Sequence, residues 1–118
     1  VDDAEQGILD IVRGADLLSS TPRQIVLQHS LGLPAVTYMH IPLAVGRDGL
    51  KLSKSEDAPG LTLAAPARLA VAALEFLGQE PPSELAGGGV AAVWDWAVTH
   101  WHPQRIAGLG SRMAPAAL

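Results

Sequence analysis

The 118 residues contain no cysteine. That absence excludes disulfides, thiolate nucleophiles and cysteine-ligated zinc within the chain, and it leaves the redox compartment open. Long apolar runs are missing too, since none approaches the ~20 residues needed to cross a bilayer. The acidic start Val1-Asp2-Asp3 is unlike the basic opening of a signal peptide. A soluble cytoplasmic protein with no membrane contact is therefore expected. Charged residues are scarce at 17% against 48% hydrophobic ones, which argues against disorder and overshoots an independent surface. Some of that apolar surface is expected to meet a partner outside the chain. A basic excess is also lacking: the net charge of −4 counts against simple nucleic-acid backbone binding. Local grip on RNA survives this test, because half of the eight Lys and Arg lie between Arg23 and Lys54. Val1 stands where an initiator Met would, and leads straight into apparent domain interior, so a truncated chain is expected.

What is present reads as alternating strand and helix. The β-branched run Ile8 to Val12 predicts a short buried strand ending at Arg13-Gly14. Thr21 as N-cap and Pro22 at the first helical position open a helix that Gly32 closes after Leu31. Ala35–Met39 and Leu43–Val45 read as strands interrupted by Pro42, and Arg47-Asp48-Gly49 as a turn. Beyond Pro59-Gly60 the composition shifts. Pro66 opens an alanine-rich helix to Leu77, with Leu69, Ala73, Leu74 and Leu77 on its apolar face and Gly78 as its stop. Pro81-Pro82 and Gly87-Gly88-Gly89 bracket a flexible link, Val90 to Trp101 forms a last helix, and the tail from Ile106 is expected to fray.

One cluster stands out chemically. Lys51-Leu52-Ser53-Lys54-Ser55 puts two cations three residues apart with hydroxyls between them, in a segment bounded by Gly49 and Pro59. Taken alone, those five residues read first as a solvated basic turn. On a loop they could also surround a polyphosphate and stabilise charge growing on a leaving pyrophosphate. Arg13, at a strand end, could grip a carboxylate with two hydrogen bonds, or pair structurally with Asp16 or Asp2. Asp2 and Asp3 are adjacent, so on a regular element their side chains point apart and a helix-start role is favoured over acid/base or magnesium chemistry. His100 and His102 do not face each other on a helix and have no third ligand near in sequence, which disfavours a metal site. Trp94 and Trp101 read as core, leaving Trp96 as the tryptophan for exposure and base stacking.

Read together, Asp2-Asp3, Gln6-Gly7-Ile8, Val12-Arg13-Gly14-Ala15-Asp16-Leu17-Leu18, Ser20-Thr21-Pro22-Arg23-Gln24-Ile25, Leu31-Gly32-Leu33-Pro34, Tyr38-Met39-His40-Ile41-Pro42-Leu43 and the Lys51 loop occur in an order that resembles the class I glutamyl-tRNA synthetases. The loop is similar to the signature written KMSKS, with Leu52 in place of its methionine. The resemblance implies an α/β fold, with residues 1–58 forming the second half of a Rossmann-like nucleotide-binding catalytic domain that includes loop 51–55. Residues 59–118 would then be a mostly helical segment packing on the loop. It implies ATP with Mg2+, activation of glutamate to an adenylate, and transfer to RNA by a monomeric ligase. Lys54 would contact ATP and Lys51 would assist it as catalytic residues, Arg13 would hold glutamate, and Leu43 and Ala44 would present backbone groups to adenine. Asp16 matches an acidic position near the nucleotide, or else a charge at a helix N-terminus. His40 fits the family's loop as a residue shaping the pocket. The family's HIGH signature, the rest of its glutamate pocket and, in many members, a zinc-binding insertion would lie upstream of Val1, so no zinc is expected here and this segment alone should be inactive.

Within that family, 63 residues after Ser55 are too few for a large anticodon-binding domain. Ala15-Asp16-Leu17-Leu18 and Trp96-Ala97-Val98-Thr99-His100-Trp101 are similar to the branch that attaches glutamate to the queuosine base of tRNA(Asp). Charging of tRNA(Glu) is the runner-up, and a non-catalytic paralogue or RNA-binding helical module is the third reading.

Overall fold

The computed structural model describes residues 1–52 and 64–115. Helix and strand are mixed: β1 (Asp10–Gly14) pairs in parallel with β2 (Thr37–Ile41), and β3 (Leu43–Val45) pairs in parallel with β4 (Ser111–Met113). The helices are α1 (Asp2–Glu5), α2 (Thr21–Ser30), α3 (Pro66–Phe76) and α4 (Val90–Thr99).

The first strand starts two residues later than its β-branched run suggests, for a local reason. Ile8 N–H donates to Asp3 O at 2.8 Å across Gly7, whose φ of +70° closes α1 in a left-handed cap. With its donor committed to the helix, Ile8 cannot open the strand. The strand is not buried either, since Val12 remains 62% exposed. Asp2 and Asp3 sit in the first turn of α1, as a helix-start reading requires. The second strand is displaced in the same direction, to Thr37–Ile41, because pairing begins where Thr37 N–H donates to Leu9 O at 2.7 Å. Pro42 separates β2 from β3 as the sequence suggests.

Helix α2 agrees with its punctuation by Pro22 and Gly32, but Thr21 is its first residue and not its cap. Ser20 holds the cap position without a side-chain bond. The Thr21 side chain is drawn elsewhere, into the site described below.

The core lies in the C-terminal half. Ala67, Ala70, Val71 and Leu74 of α3 meet Val93 and Ala97 of α4, with Leu85, Ala86 and Trp96 packed against them. The buried face of α3 is therefore rotated from the expected one, and Leu69, Ala73 and Leu77 are only half-buried. Small side chains explain the choice, because the alanine face lets α4 and the 3-10 turn Ser83–Gly87 approach closely. That turn replaces the flexible link read from the proline and glycine clusters. The tryptophan assignment also reverses. Val93 and Ala97 set the inward face of α4, which leaves Trp94 55% exposed and Trp101, beyond the helix end, 39% exposed, while Trp96 packs on the core.

The tail does not fray over residues 106–115. Ile106 is 2% exposed, and β4 is held to β3 by Leu43 N–H donating to Gly110 O (3.0 Å) and Ala114 N–H donating to Val45 O (2.9 Å). The Arg112 guanidinium donates to the Glu75 and Phe76 carbonyls at the end of α3, groups a helix terminus leaves unpaired. The buried Gln79 amide ties α3 to the following chain, donating to His102 O at 3.2 Å and accepting from His102 N–H at 2.8 Å. No helix among the described residues is long and apolar enough to cross a membrane.

Candidate functional site

The β1–β2 register sets Arg13 beside His40, and Ile11 beside Tyr38. Side chains two residues apart on a strand share a face, so Arg13, Tyr38 and His40 converge. The Arg13 guanidinium lies over the Tyr38 ring, 4.6 Å from its centre, within the range of a cation–π contact. Its Nη2 donates to Thr21 Oγ1 at 2.6 Å, and Nε lies 3.4 Å from His40 Nε2. Thr21 Oγ1 is 2.9 Å from His40 Nε2 and donates to Leu17 O at 3.0 Å. Thr21, 7% exposed, is thus the hub of the cluster. The structural salt bridge weighed for Arg13 is absent: among the described residues the ion pairs are Lys51–Asp16 and Arg105–Glu80.

Arg13 also lines an open cavity of about 230 Å3 with Val1, Asp3, Ile11, Gln24, Leu27, Gln28 and Tyr38. Gln28 and the Tyr38 hydroxyl exchange hydrogen bonds at 3.0 and 3.2 Å, fixing α2 to β2. Gln24 Oε1 is buried without a partner among the described residues, an acceptor that a ligand's donor could satisfy.

A second cluster adjoins the end of β1. Gly14 carries the chain into the 3-10 turn Ala15–Ser20, and a Cβ there would stand 2.5 Å from Asp16 Oδ1 and 3.0 Å from Leu43 Cδ2. Leu43 and the Asp16 carboxylate therefore press on the same backbone point. Lys51 Nζ donates to Asp16 Oδ2 at 2.9 Å, with both side chains well exposed. The hydrogen bond from Lys51 holds the Asp16 carboxyl below the usual carboxylate range; slight desolvation opposes it, and the ammonium charge adds to the lowering. Asp16 occupies the first turn of the 3-10 segment as well.

The backbone of β3 divides its two expected nucleotide contacts. The Leu43 N–H is committed to Gly110 O. Strand alternation then turns the Ala44 N–H and C=O to the other edge, where Gly46 N–H donates to Leu50 O at 2.9 Å and Lys51 bridges Val45. The Ala44 backbone thus faces the first residue of the lysine loop. Lys54, with Ser53 and Ser55, lies outside the described residues, as do Pro59 and Gly60.

The structure places Arg13, Lys51, Leu43 and Ala44 around the junction of the two strand pairs. Thr21, Gln24 and Tyr38 occur in the motifs that carry the resemblance, but the sequence alone assigned none of them a site role. Thr21 was masked by its helix-start chemistry, and only its spacing of eight residues from Arg13 could have flagged it. His100 spends its ring on its own helix, stacked on Trp96 at 4.8 Å with Nδ1 2.9 Å from Trp96 O. No cluster of three metal-ligating side chains occurs among the described residues.

Residues 1–61 match the family model described as tRNA synthetases class I (E and Q), catalytic domain. The chain is 54% identical over 101 residues to the glutamyl-Q tRNA(Asp) synthetase of Aromatoleum aromaticum, covering 86% of this chain and 32% of that protein. It is 53% identical over 106 residues to the protein of the same name from Pseudomonas paraeruginosa, and 55% over 106 residues to that from Xanthomonas axonopodis pv. citri, each time covering 90% of this chain and 36% of the relative. The chain spans about a third of the length of these relatives.

Proposed function

Since the chain belongs to the class I (E and Q) tRNA synthetase catalytic-domain family, we propose that it is part of an enzyme that activates glutamate with ATP and transfers it to the queuosine base of tRNA(Asp). The observation that carries the proposal is Arg13. Its guanidinium is held at a strand end by a hydroxyl and an imidazole, with no carboxylate pairing it among the described residues. Such a cation suits a substrate carboxylate, because its planar fork matches two carboxylate oxygens and its charge selects an acid over an amide.

In this reading residues 1–58 are the second half of a Rossmann-like nucleotide-binding domain, and residues 59–118 the helical segment that packs on its signature loop. Open α/β sheets bind ligands at the carboxyl ends of their strands, which here is the Arg13–Gly14 and Ile41–Val45 region. Arg13 orients glutamate. Ala44, and less directly Leu43, present backbone to adenine. Lys51 and Lys54 supply positive charge to the phosphates as pyrophosphate leaves, acting on charge that develops in the transition state. The exposed ammonium of Lys51 fits a polyphosphate, and magnesium would arrive as the counter-ion of ATP and neutralise its phosphate charge. Asp16 holds Lys51 next to this site until a nucleotide competes for it. A cytoplasmic location accords with a tRNA substrate.

The test is glutamate-dependent ATP–pyrophosphate exchange by the full-length protein, with and without tRNA. The resemblance makes exchange without RNA the expected result, followed by glutamate incorporation into queuosine-containing tRNA(Asp). Exchange only in the presence of tRNA(Glu) would transfer the assignment to tRNA(Glu) charging. No exchange under either condition would refute both enzymatic readings and favour a non-catalytic role.

A further inference from the structure

The partners of Arg13 have chemistry in common beyond their positions. A guanidinium has five N–H donors and no acceptor, and Arg13 meets a hydroxyl, an imidazole edge and a phenol ring, none of them a carboxylate. Nη2 is taken by Thr21, the Nε edge faces His40, and the Tyr38 ring lies beneath the plane. Nη1 makes no hydrogen bond among the described residues. Steric and hydrogen-bonding restraint is therefore applied along one edge and one face, and among the described residues no carboxylate forms an ion pair with Arg13. The second edge of the fork remains open to a ligand.

Thr21 makes this arrangement rigid. Its side chain is buried, its hydroxyl is anchored on Leu17 O (3.0 Å) in the turn after β1, and the same oxygen lies 2.9 Å from His40 Nε2 on β2. One hydroxyl thus couples α2, the turn after β1, and β2. Any carboxylate in the place of either partner would form a charge-assisted bond with Arg13 and compete with the substrate for it.

We infer that Thr21 and His40 are positioning residues that set the glutamate specificity of the proposed site by fixing Arg13 through contacts other than carboxylates, leaving its charge available to the substrate carboxylate. The inference rests on the proposed function. Neither residue touches the reacting atoms. The predicted effects fall on glutamate recognition and spare ATP.

The experiment compares His40→Glu with His40→Gln in the full-length enzyme, measuring KM for glutamate, KM for ATP and kcat in pyrophosphate exchange, with glutamine as competitor. Glutamate at position 40 pairs with Arg13 and is expected to raise the glutamate KM by on the order of tenfold or more, the loss of one charge-assisted bond, while the ATP KM stays within about twofold. Glutamine keeps a neutral acceptor and restores most of the affinity. Equal effects of the two variants, or no effect of His40→Glu, would overturn the inference, because a merely structural role depends on shape and not on charge. If His40→Glu does not fold, as judged by thermal melting, Thr21→Val against Thr21→Ser decides: valine is expected to raise the glutamate KM and serine to rescue it, and an equal rise in both refutes the coupling. Failure of the unmodified enzyme to exchange pyrophosphate with glutamate would instead overturn the functional reading on which this one stands.

Discussion

Replacing Arg13 with alanine tests the proposed site most directly. Among the described residues Arg13 makes hydrogen-bonding or ring contacts with Thr21, His40 and Tyr38. Removing it does not orphan them. Thr21 Oγ1 still lies 2.9 Å from His40 Nε2 and still donates to Leu17 O, and Tyr38 keeps its exchange with Gln28. The fold should therefore survive, with a loss near the cation–π contact of about 0.5–2 kcal/mol. Substrate recognition should suffer more. A hydrogen bond to a charged group is worth about 1.5–3 kcal/mol, so losing one such bond to the glutamate carboxylate raises the glutamate KM about 10- to 150-fold. Losing both arms of a bidentate pair exceeds that range. Arg13→Lys should recover part of the loss, since it retains charge but not the planar fork. Pyrophosphate exchange at varied glutamate and fixed saturating ATP measures this, with a thermal melt to establish folding. A folded Arg13→Ala enzyme with an unchanged glutamate KM would refute the assignment of Arg13 to the substrate.

Other expectations concern the remaining proposed site residues and the core. Lys54→Ala should slow adenylate formation with little change in glutamate KM, because its proposed role concerns charge that develops on the leaving phosphates; a raised glutamate KM with normal kcat would contradict it. The Asp16 carboxyl is held below its ordinary value by Lys51, so the pair contributes at pH values above the unfolded carboxylate pKa and is lost as pH falls through the folded one. The melting difference between the unmodified protein and Asp16→Asn should accordingly shrink toward strongly acid pH, and a difference that grows there would have the wrong sign. In the core, Val93 is 0% exposed, and Val93→Ala removes the equivalent of two methylene groups, costing about 2 kcal/mol with the residual cavity. Val98, 83% exposed on the same helix, should tolerate alanine within about 0.5 kcal/mol; similar denaturation midpoints for the two variants would refute the α3–α4 packing.

The sequence was most informative where local chemistry alone decides the outcome. Pro22 and Gly32 around α2, and Pro66 and Gly78 around α3, mark helix ends because proline fixes φ at a helix start and glycine accepts the left-handed closing residue, with φ +66° at Gly32 and +74° at Gly78. The turn at residues 46–50 followed from Gly49 in the same way. Long-range choices were not legible. The rotation of the α3 face depends on how closely α4 approaches, which no count of apolar residues along α3 reveals. The shift of β1 depends on Ile8 donating backward into α1, and β4 depends on pairing with β3 from far along the chain, through Leu43 N–H to Gly110 O and Ala114 N–H to Val45 O. At the site, strand-end placement of Arg13 could be read from the chain, whereas its partners Thr21, Tyr38 and His40 meet only after α2 has folded back over β1 and β2.

The location of the core has a bearing on the site. The residues proposed to meet the nucleotide lie on β3 and the hairpin after it, a segment with little burial of its own: Leu43, Ala44 and Val45 are half-buried. Two parallel strands of three residues cannot by themselves hold a backbone within the tolerance that adenine recognition needs. What restrains β3 is β4. That strand is in turn tied to α3 by Arg112, whose guanidinium donates to the carbonyls of Glu75 and Phe76 and lies over the Phe76 ring at 5.7 Å. The packed alanine face of α3 against α4 thereby supports, through one arginine and one short strand, the backbone edge at Ala44 and the approach of Lys51. The N-terminal half obtains its rigidity differently, from the Thr21 hub and the Gln28–Tyr38 exchange. Glutamate recognition and nucleotide recognition would then rest on supports that meet at Gly14, Leu43 and the Ala15–Ser20 turn, where Thr21 bonds Leu17 and Asp16 holds Lys51.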